Sequence, residues 1–536
     1  MTQSRPTRRN FLERGPLALA LMRAGLWGVA PEAKPDDFPV AETRSGKLRG
    51  MAFGPIICFR GIYYGASTSG KNRFMPPQPV TSWTGIKEAF AYGNICPQFP
   101  ANASQDYTRM IEWDKQPGGM GEDCLNLNLW TPGLADGRKR PVFVSFHGGG
   151  FTAGSSNSPG YHGEPLARYA DAAVVTVNHR LASFGFAHFG EILDERFAAS
   201  GTVGMQDLVA SLQWIHDNIA NFGGDPDKVM IFGQSGGGRK VSAITAMPSG
   251  KGLFQRAAVQ SGSISTLMTR EAATRNAKIL MQELGISGSQ PAALQEVPYL
   301  KFLEAQGAAM KKTGGMGFIP VVDGKVIPQD PFEPAASEVS KDVPMIIGTM
   351  LGESALSMSN YNLDEAGLEE FARKRFGAEA DKVLAAYRKA YPAASPYFLE
   401  TRIDTQMDRR ARALHQADRK SAQGGAPAWV YRFDYPSPGY GGKFGPVHGT
   451  DVSLVFHNSL TNIDSAPAPE MLAIMEQISS AWVAFAKTGD PNNPRMPQWP
   501  AYNQETRTTM LFDTTTRAVQ DPDRELRLLH KDVKTI

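Results

Sequence analysis

The chain is predicted to fold as one large α/β domain, a mostly parallel mixed sheet clad on both faces by helices. Three observations carry that prediction. From Leu125 onward, short apolar runs alternate with amphipathic stretches. One run, Val229-Met230-Ile231-Phe232, leads straight into Gly233-Gln234-Ser235-Gly236-Gly237, a serine held between glycines at the end of a strand. No linker, internal repeat, heptad run or low-complexity block interrupts the 536 residues, so a single core is expected across 40–536.

Taken in order, residues 1–30 read as an address. Thr7-Arg8-Arg9-Asn10-Phe11-Leu12 precedes a weakly apolar run from Gly15 to Ala30, the pattern of a twin-arginine export signal, and residues 31–39 form a spacer. Arg23 interrupts the run and Pro31 follows its small-residue end, which leaves the cleavage point open. The signal holds five arginines and one glutamate, a net +4, against +3 for the whole chain, so the remainder stands at −1. A nearly neutral body offers no electrostatic attraction for nucleic acid or an anionic membrane. No later segment reaches eighteen consecutive apolar residues, and no transmembrane span is expected in the mature protein. Three cysteines are too few for a disulfide scaffold, although export permits one bridge. Cys58, inside Pro55-Ile56-Ile57-Cys58-Phe59, reads as an inert thiol on a buried strand.

Runs at Val40–Arg44, Lys47–Phe53 and Ile56–Gly61 predict a small amino-terminal sheet. The stretch from Cys96 to Cys124, rich in Pro, Gly, Asn and Asp, predicts a surface loop of the kind that forms lids. Strands follow at Leu125–Trp130, Pro141–Phe146 and Ala172–Asn178. Met205, Leu208, Val209, Leu212, Ile215 and Ile219 mark a core-facing helix that Phe222-Gly223-Gly224-Asp225-Pro226 should end. After the serine, Val241–Ala246 continues as helix, Arg256–Ser261 and Pro344–Gly348 read as strands, and Glu271–Leu284, Leu363–Phe376 and Ala378–Ala390 as helices. The last third is expected to be helical and irregular decoration, with a late amphipathic helix at Ile474–Lys487.

A serine hydroxyl is a poor nucleophile at neutral pH and needs a base, which in turn needs an orienting group. Where a serine sits on such an elbow these follow in the order Ser, acid, His. That order leaves His415, His448, His457 and His530. His415 lies in the charged helical run Arg409–Lys420, His530 in the charged tail and His457 in Ser453–Asn458. His448 occupies the glycine-bearing loop Pro446–Asp451, from which a side chain can cross a sheet edge. Asp323, Asp330, Glu333 and Glu353 are all eligible acids. Glu353 has the best setting, just beyond the buried pattern Pro344–Gly348. A site for the oxyanion is supplied by Val142–Phe146 running into His147-Gly148-Gly149-Gly150-Phe151, because bare glycine amides can approach a tetrahedral oxygen closely.

Together these blocks resemble the type-B carboxylesterase family of the α/β-hydrolase superfamily, which includes cholinesterases and bacterial p-nitrobenzyl-type esterases. The likeness also runs through Gly121–Asn128, Asn178-His179-Arg180, Asn218–Pro226, Pro320–Gly324, His448-Gly449 and Trp482–Pro491. It implies an α/β-hydrolase fold with a small amino-terminal sheet and helical carboxyl-terminal decorations. Ser235 becomes the nucleophile, His448 the general base and then acid, and Glu353 the carboxylate that orients His448. The amides of Gly149, Gly150 and Gly236 become the oxyanion donors, and a Cys96–Cys124 bridge is supported. The chain departs from the family pattern at Gln234, where Glu is common, at Gly236, where Ala is common, and at Asp451, where Glu often stands. Loss of a carboxylate at 234 should weaken attraction for cationic substrate groups. Trp113 falls near the choline-binding tryptophan of cholinesterases, but its surroundings differ, and it reads as ordinary aromatic lining of an ester pocket. The resemblance implies an exported enzyme, periplasmic or secreted, that hydrolyses small-molecule carboxylic esters through an acyl-enzyme and requires no metal or organic cofactor. An amidase or transacylase on the same triad, or a non-catalytic binding protein on the esterase fold, are the alternatives.

Overall fold

The computed structural model describes residues 37–532 apart from 102–105, 111, 114, 289, 315–316 and 459–467. The expected export signal at 1–30 and most of the spacer lie outside the described residues.

Fourteen strands are formed by the described residues: β1 (Val40–Thr43), β2 (Gly46–Arg49), β3 (Met51–Phe53), β4 (Ile56–Tyr63), β5 (Ile86–Glu88), β6 (Asn126–Thr131), β7 (Arg140–Phe146), β8 (Ala173–Val177), β9 (Gly224–Gln234), β10 (Arg256–Gln260), β11 (Met345–Met350), β12 (Ala428–Phe433), β13 (Thr508–Phe512) and β14 (Arg517–Gln520). Eleven of them make one sheet, ordered β14-β13-β12-β11-β10-β9-β7-β8-β6-β4-β3. From β8 through β13 every pairing is parallel, while both margins are antiparallel. A parallel centre has both faces covered, and the strand alternation divides its side chains between two cores. Val142, Val144, Phe146, Val229 and Ile231 enter one; Phe143, Met230 and Phe232 enter the other. Helix α1 (Val203–Asn218) covers the first face through Met205, Leu208, Leu212 and Ile215. The second face is covered by a long helix at Pro469–Thr488, through Ile474, Ile478, Trp482 and Phe485. Among the described residues no helix is long and apolar enough to cross a membrane.

Several expectations need correction. The amino-terminal runs do not make one small sheet. β1 and β2 pair with β5 in a three-stranded sheet, whereas β3 and β4 form the margin of the large one. The break falls at Gly50, where a methyl group would lie 2.8 Å from the Cys58 carbonyl oxygen, so only bare backbone passes between the two sheets. The last third is also not mere decoration, since β12 to β14 extend the central sheet. Arg432 hides β12 in the sequence. Its guanidinium is buried between Asp434, at 2.6 Å, and Asp523, so a charged residue belongs to a fully buried strand.

The expected Cys96–Cys124 bridge is not present either. Cys58, Cys96 and Cys124 are all free and buried. The Cys96 and Cys124 side chains face each other as thiols; their hydrogen bond and burial hold Cys124 protonated, well above its ordinary range. Leu181 N donates to Cys96 Sγ at 3.2 Å. The intervening loop is closed without a bridge by pairing of Ile95 with Met120 and by the buried Tyr107 and Met110 of a short helix, Asp106–Met110. It is therefore more than a surface feature, because it packs inward. Cys58 lies on β4 with its thiol pushed up to about 11, mainly by burial.

Candidate active site

β9 runs into Ser235 and helix α2 (Gly236–Ile244) departs immediately after it, five residues earlier than the sequence pattern suggests. Ser235 has φ 58° and ψ −120°, a conformation that costs a side-chain-bearing residue about 1–3 kcal/mol. The turn is held by Ser235 N donating to the Gln260 carbonyl at 2.7 Å. It is as tight as backbone permits, since a methyl at Gly237 would lie 2.0 Å from the Phe146 carbonyl oxygen. Gln234 and Gly236 are buried on either side, while Ser235 retains partial exposure.

On one flank of this turn stands the end of β7. Gly149 and Gly150 have φ of 91° and 65°, open to glycine and costly for other residues. A methyl on Gly149 would meet the Ala153 carbonyl oxygen at 2.3 Å, and one on Gly236 would meet that of Gly150 at 2.1 Å. Loop and helix start are therefore pressed backbone to backbone. The amides of Gly149, Gly150 and Gly236 find no acceptor among the described residues, whereas Gly148 N is taken by the Tyr161 hydroxyl at 2.8 Å.

On the other flank, the loops after β11 and β12 meet. Gly352 pairs with Val447 in a single parallel bridge and donates its N–H to the Pro446 carbonyl at 3.1 Å. The next residue of each loop is Glu353 and His448, and the two side chains are joined through Glu353 Oε2 and His448 Nδ1. Met350 N donates to the other carboxylate oxygen at 2.9 Å, and Tyr107 donates its hydroxyl to the His448 carbonyl at 2.7 Å. Burial alone would raise the Glu353 carboxyl. The facing His448 ring and the Arg409 guanidinium outweigh it, and the carboxyl stays below its ordinary value. Burial, aided by Arg409, brings His448 below its ordinary value despite Glu353, which favours the neutral ring. An ionised carboxylate can only accept, so Nδ1 carries the proton and Nε2 presents a lone pair. His448 Nε2 is buried with no partner among the described residues.

Around this pair, Asp451 accepts from Gln260 Nε2 at 2.9 Å and from the Tyr431 hydroxyl at 2.6 Å, and burial pushes its carboxyl up to about 6. Gln234 is buried against the turn after His448, where a methyl on Gly449 would lie 3.6 Å from its Nε2. Trp113 lines an apolar recess with Gln98, Gly148, Gly149 and Tyr161, and stands edge-on to Tyr107 at 6.0 Å.

The remaining sequence candidates are engaged elsewhere. His415 bonds Glu333, which also pairs with Arg419. His457 stacks on Tyr169 and faces Ser479, and His530 bonds Tyr387. Asp330 accepts from Leu267 N, and Asp323 closes its own turn through Lys325 N and Ile327 N. Sequence reasoning did not single out Tyr107, Arg409 or Lys240. Only Lys240 left a signal, a lysine five residues beyond the serine, next to Arg239 in a helix of otherwise small or apolar residues.

The sequence model of the carboxylesterase family matches residues 37–528. The chain is 34% identical to the para-nitrobenzyl esterase of Bacillus subtilis over 505 residues, 91% of this chain and 97% of that protein. It is 32% identical to the phenmedipham hydrolase of Pseudarthrobacter oxydans, covering 87% of this chain and 93% of that one. Among solved structures, an esterase from Clostridium hathewayi that can hydrolyse aliphatic aromatic polyesters superposes with a TM-score of 0.81 at 33% identity, over 93% of this chain and 99% of its own. The Geobacillus stearothermophilus carboxylesterase superposes with a TM-score of 0.78 at 34% identity, over 91% and 99%. Fold, family match and esterase relatives agree: this chain belongs to the carboxylesterase family and is a carboxylic ester hydrolase of the α/β-hydrolase fold.

Proposed function

We propose that the enzyme hydrolyses esters through an acyl-serine at Ser235, with His448 as proton carrier, Glu353 as its orienting carboxylate, and the amides of Gly149, Gly150 and Gly236 as oxyanion donors. The observation that carries this reading is the buried Glu353–His448 pair with an unpartnered Nε2, set on the same sheet edge as the strained Ser235 turn. In acylation Ser235 Oγ bonds to the ester carbonyl carbon as its proton passes to His448 Nε2. The carbonyl oxygen becomes an oxyanion facing the glycine amides. On collapse the carbon–oxygen bond to the alcohol breaks and His448 returns the proton to the leaving oxygen. Water then repeats the sequence against the acyl-serine, releasing the acid and restoring the hydroxyl.

Treatment with a fluorophosphonate should add one phosphonyl group, located at Ser235 by mass spectrometry. Ser235→Ala should lose the adduct and about 10⁶-fold in kcat on p-nitrophenyl esters. A folded Ser235→Ala protein with undiminished turnover would remove Ser235 from the mechanism. Matched amide substrates in the same assay separate an esterase from an amidase. We also propose that Arg8-Arg9 directs export to the periplasm or beyond; unchanged localisation of an Arg8→Lys, Arg9→Lys double variant would argue against it.

A further inference from the structure

Lys240 lies on α2, five residues after Ser235, and is wholly buried. Its surroundings are unfavourable to an ammonium group. It has no carboxylate partner among the described residues, and it sits in the middle of a nine-residue helix. Its one described acceptor is the carbonyl oxygen of His147, at 2.8 Å. His147 comes just after β7 and is followed directly by Gly148-Gly149-Gly150. Its ring lies close to the amine. Beyond it, after β8, lie the His179 ring, stacked on His147 at 5.2 Å, and Arg180, whose guanidinium is closed by Asp207 of α1 at 2.6 Å. Burial, with the nearby lysine, holds both rings well below their ordinary values, so they are neutral. The local balance therefore has one uncompensated positive group.

A methionine of similar length would fill this space without the cost of desolvating an amine. We propose that Lys240 is a positioning residue for the oxyanion site: by holding the His147 carbonyl it sets the glycine amides, and its ammonium places a positive charge beneath the oxygen that becomes negative during the reaction. The inference rests on the Ser235 reading above. The His147 carbonyl is two residues from Gly149, which puts the ammonium within about 10 Å of the oxyanion through protein rather than water. A charge that acts only when the oxyanion forms favours the transition state over the bound ester. A charge-assisted hydrogen bond is also roughly twice as strong as a neutral one.

Desolvation brings the Lys240 amine down to about 7, so its charge is present below that pH and is lost above it. With neutral His448 required on the acid side, kcat should describe a bell whose alkaline limb belongs to Lys240. The test is the pH dependence of kcat and KM on a neutral p-nitrophenyl ester, from about pH 5 to about pH 9, for the wild type, Lys240→Met, Lys240→Arg and Ser235→Ala. Lys240→Met should lower kcat about tenfold at neutral pH, leave KM unchanged and flatten the alkaline limb. Lys240→Arg, charged throughout, should recover part of kcat and keep the limb flat. Circular dichroism and thermal melting report whether each variant folds. A wild-type kcat that does not decline on the alkaline side, or a folded Lys240→Met enzyme that keeps the decline, would overturn the role of Lys240. Turnover surviving in Ser235→Ala would instead overturn the reading beneath it.

Discussion

The two flanks of Ser235 are built from different materials. On the β7 side the groups proposed to act are backbone amides, and what matters is the absence of side chains at Gly149, Gly150 and Gly236. On the side of β10 to β12 they are two side chains, the Glu353 carboxylate and the neutral His448 ring, 95 residues apart in sequence and joined by one backbone bridge between their loops. The first flank is made within contiguous segments and tolerates no added atoms. The second depends on long-range pairing and on buried electrostatics. Damage to the first should therefore act through shape, and damage to the second through proton affinity.

The largest difference is expected from Glu353→Gln. An amide bonds Nδ1 but does not stabilise the imidazolium, so kcat should fall about 10⁴-fold while KM and fluorophosphonate access change little. A loss of only a few fold would mean that orientation alone suffices on that flank. Next, Gly149→Ala adds a methyl 2.3 Å from the Ala153 carbonyl oxygen at a φ of 91°. One displaced oxyanion donor should cost about 10²–10³ in kcat, with the pH profile of kcat/KM unchanged in position. A shift of that profile would break the separation between shape and proton affinity.

The smallest effect sharpens the comparison from the other flank. Burial is the main cause of the lowered His448 proton affinity, and Arg409 adds to it. Replacing this cation with glutamine in Arg409→Gln makes the imidazolium easier to form, so the acid limb of kcat/KM should move to higher pH, by less than about one unit. A limb that stays in place would remove Arg409 from the balance. A move to lower pH would reverse the assigned sign.

Legibility follows the same division. The serine turn and the glycine loop each read clearly, because strand, turn chemistry and glycine spacing are properties of ten or so neighbouring residues. Loop setting favoured Glu353 and His448 among several acids and histidines only weakly, and the family resemblance carried most of their assignment. Only its glycine-bearing loop sets His448 apart from His415, which lies on a helix against Glu333 instead. Tyr107 was invisible within an aperiodic loop, yet it reaches the His448 carbonyl. β12 was concealed by Arg432, whose partner Asp523 lies 91 residues away. The bridge expected between Cys96 and Cys124 is a pair of buried thiols instead, in a loop that is closed by packing.

The sequence by itself determined the alternation of strand and helix, the strained serine and the bare amides. Each is imposed by short-range sterics and by the period of the apolar residues. Only the tertiary structure decided which carboxylate meets which histidine, that β12 to β14 complete the sheet, and that the lysine on α2 reaches the His147 carbonyl beside the glycine loop. Those outcomes depend on the desolvation of charges and their pairing across the fold, which are set by residues distant in the chain.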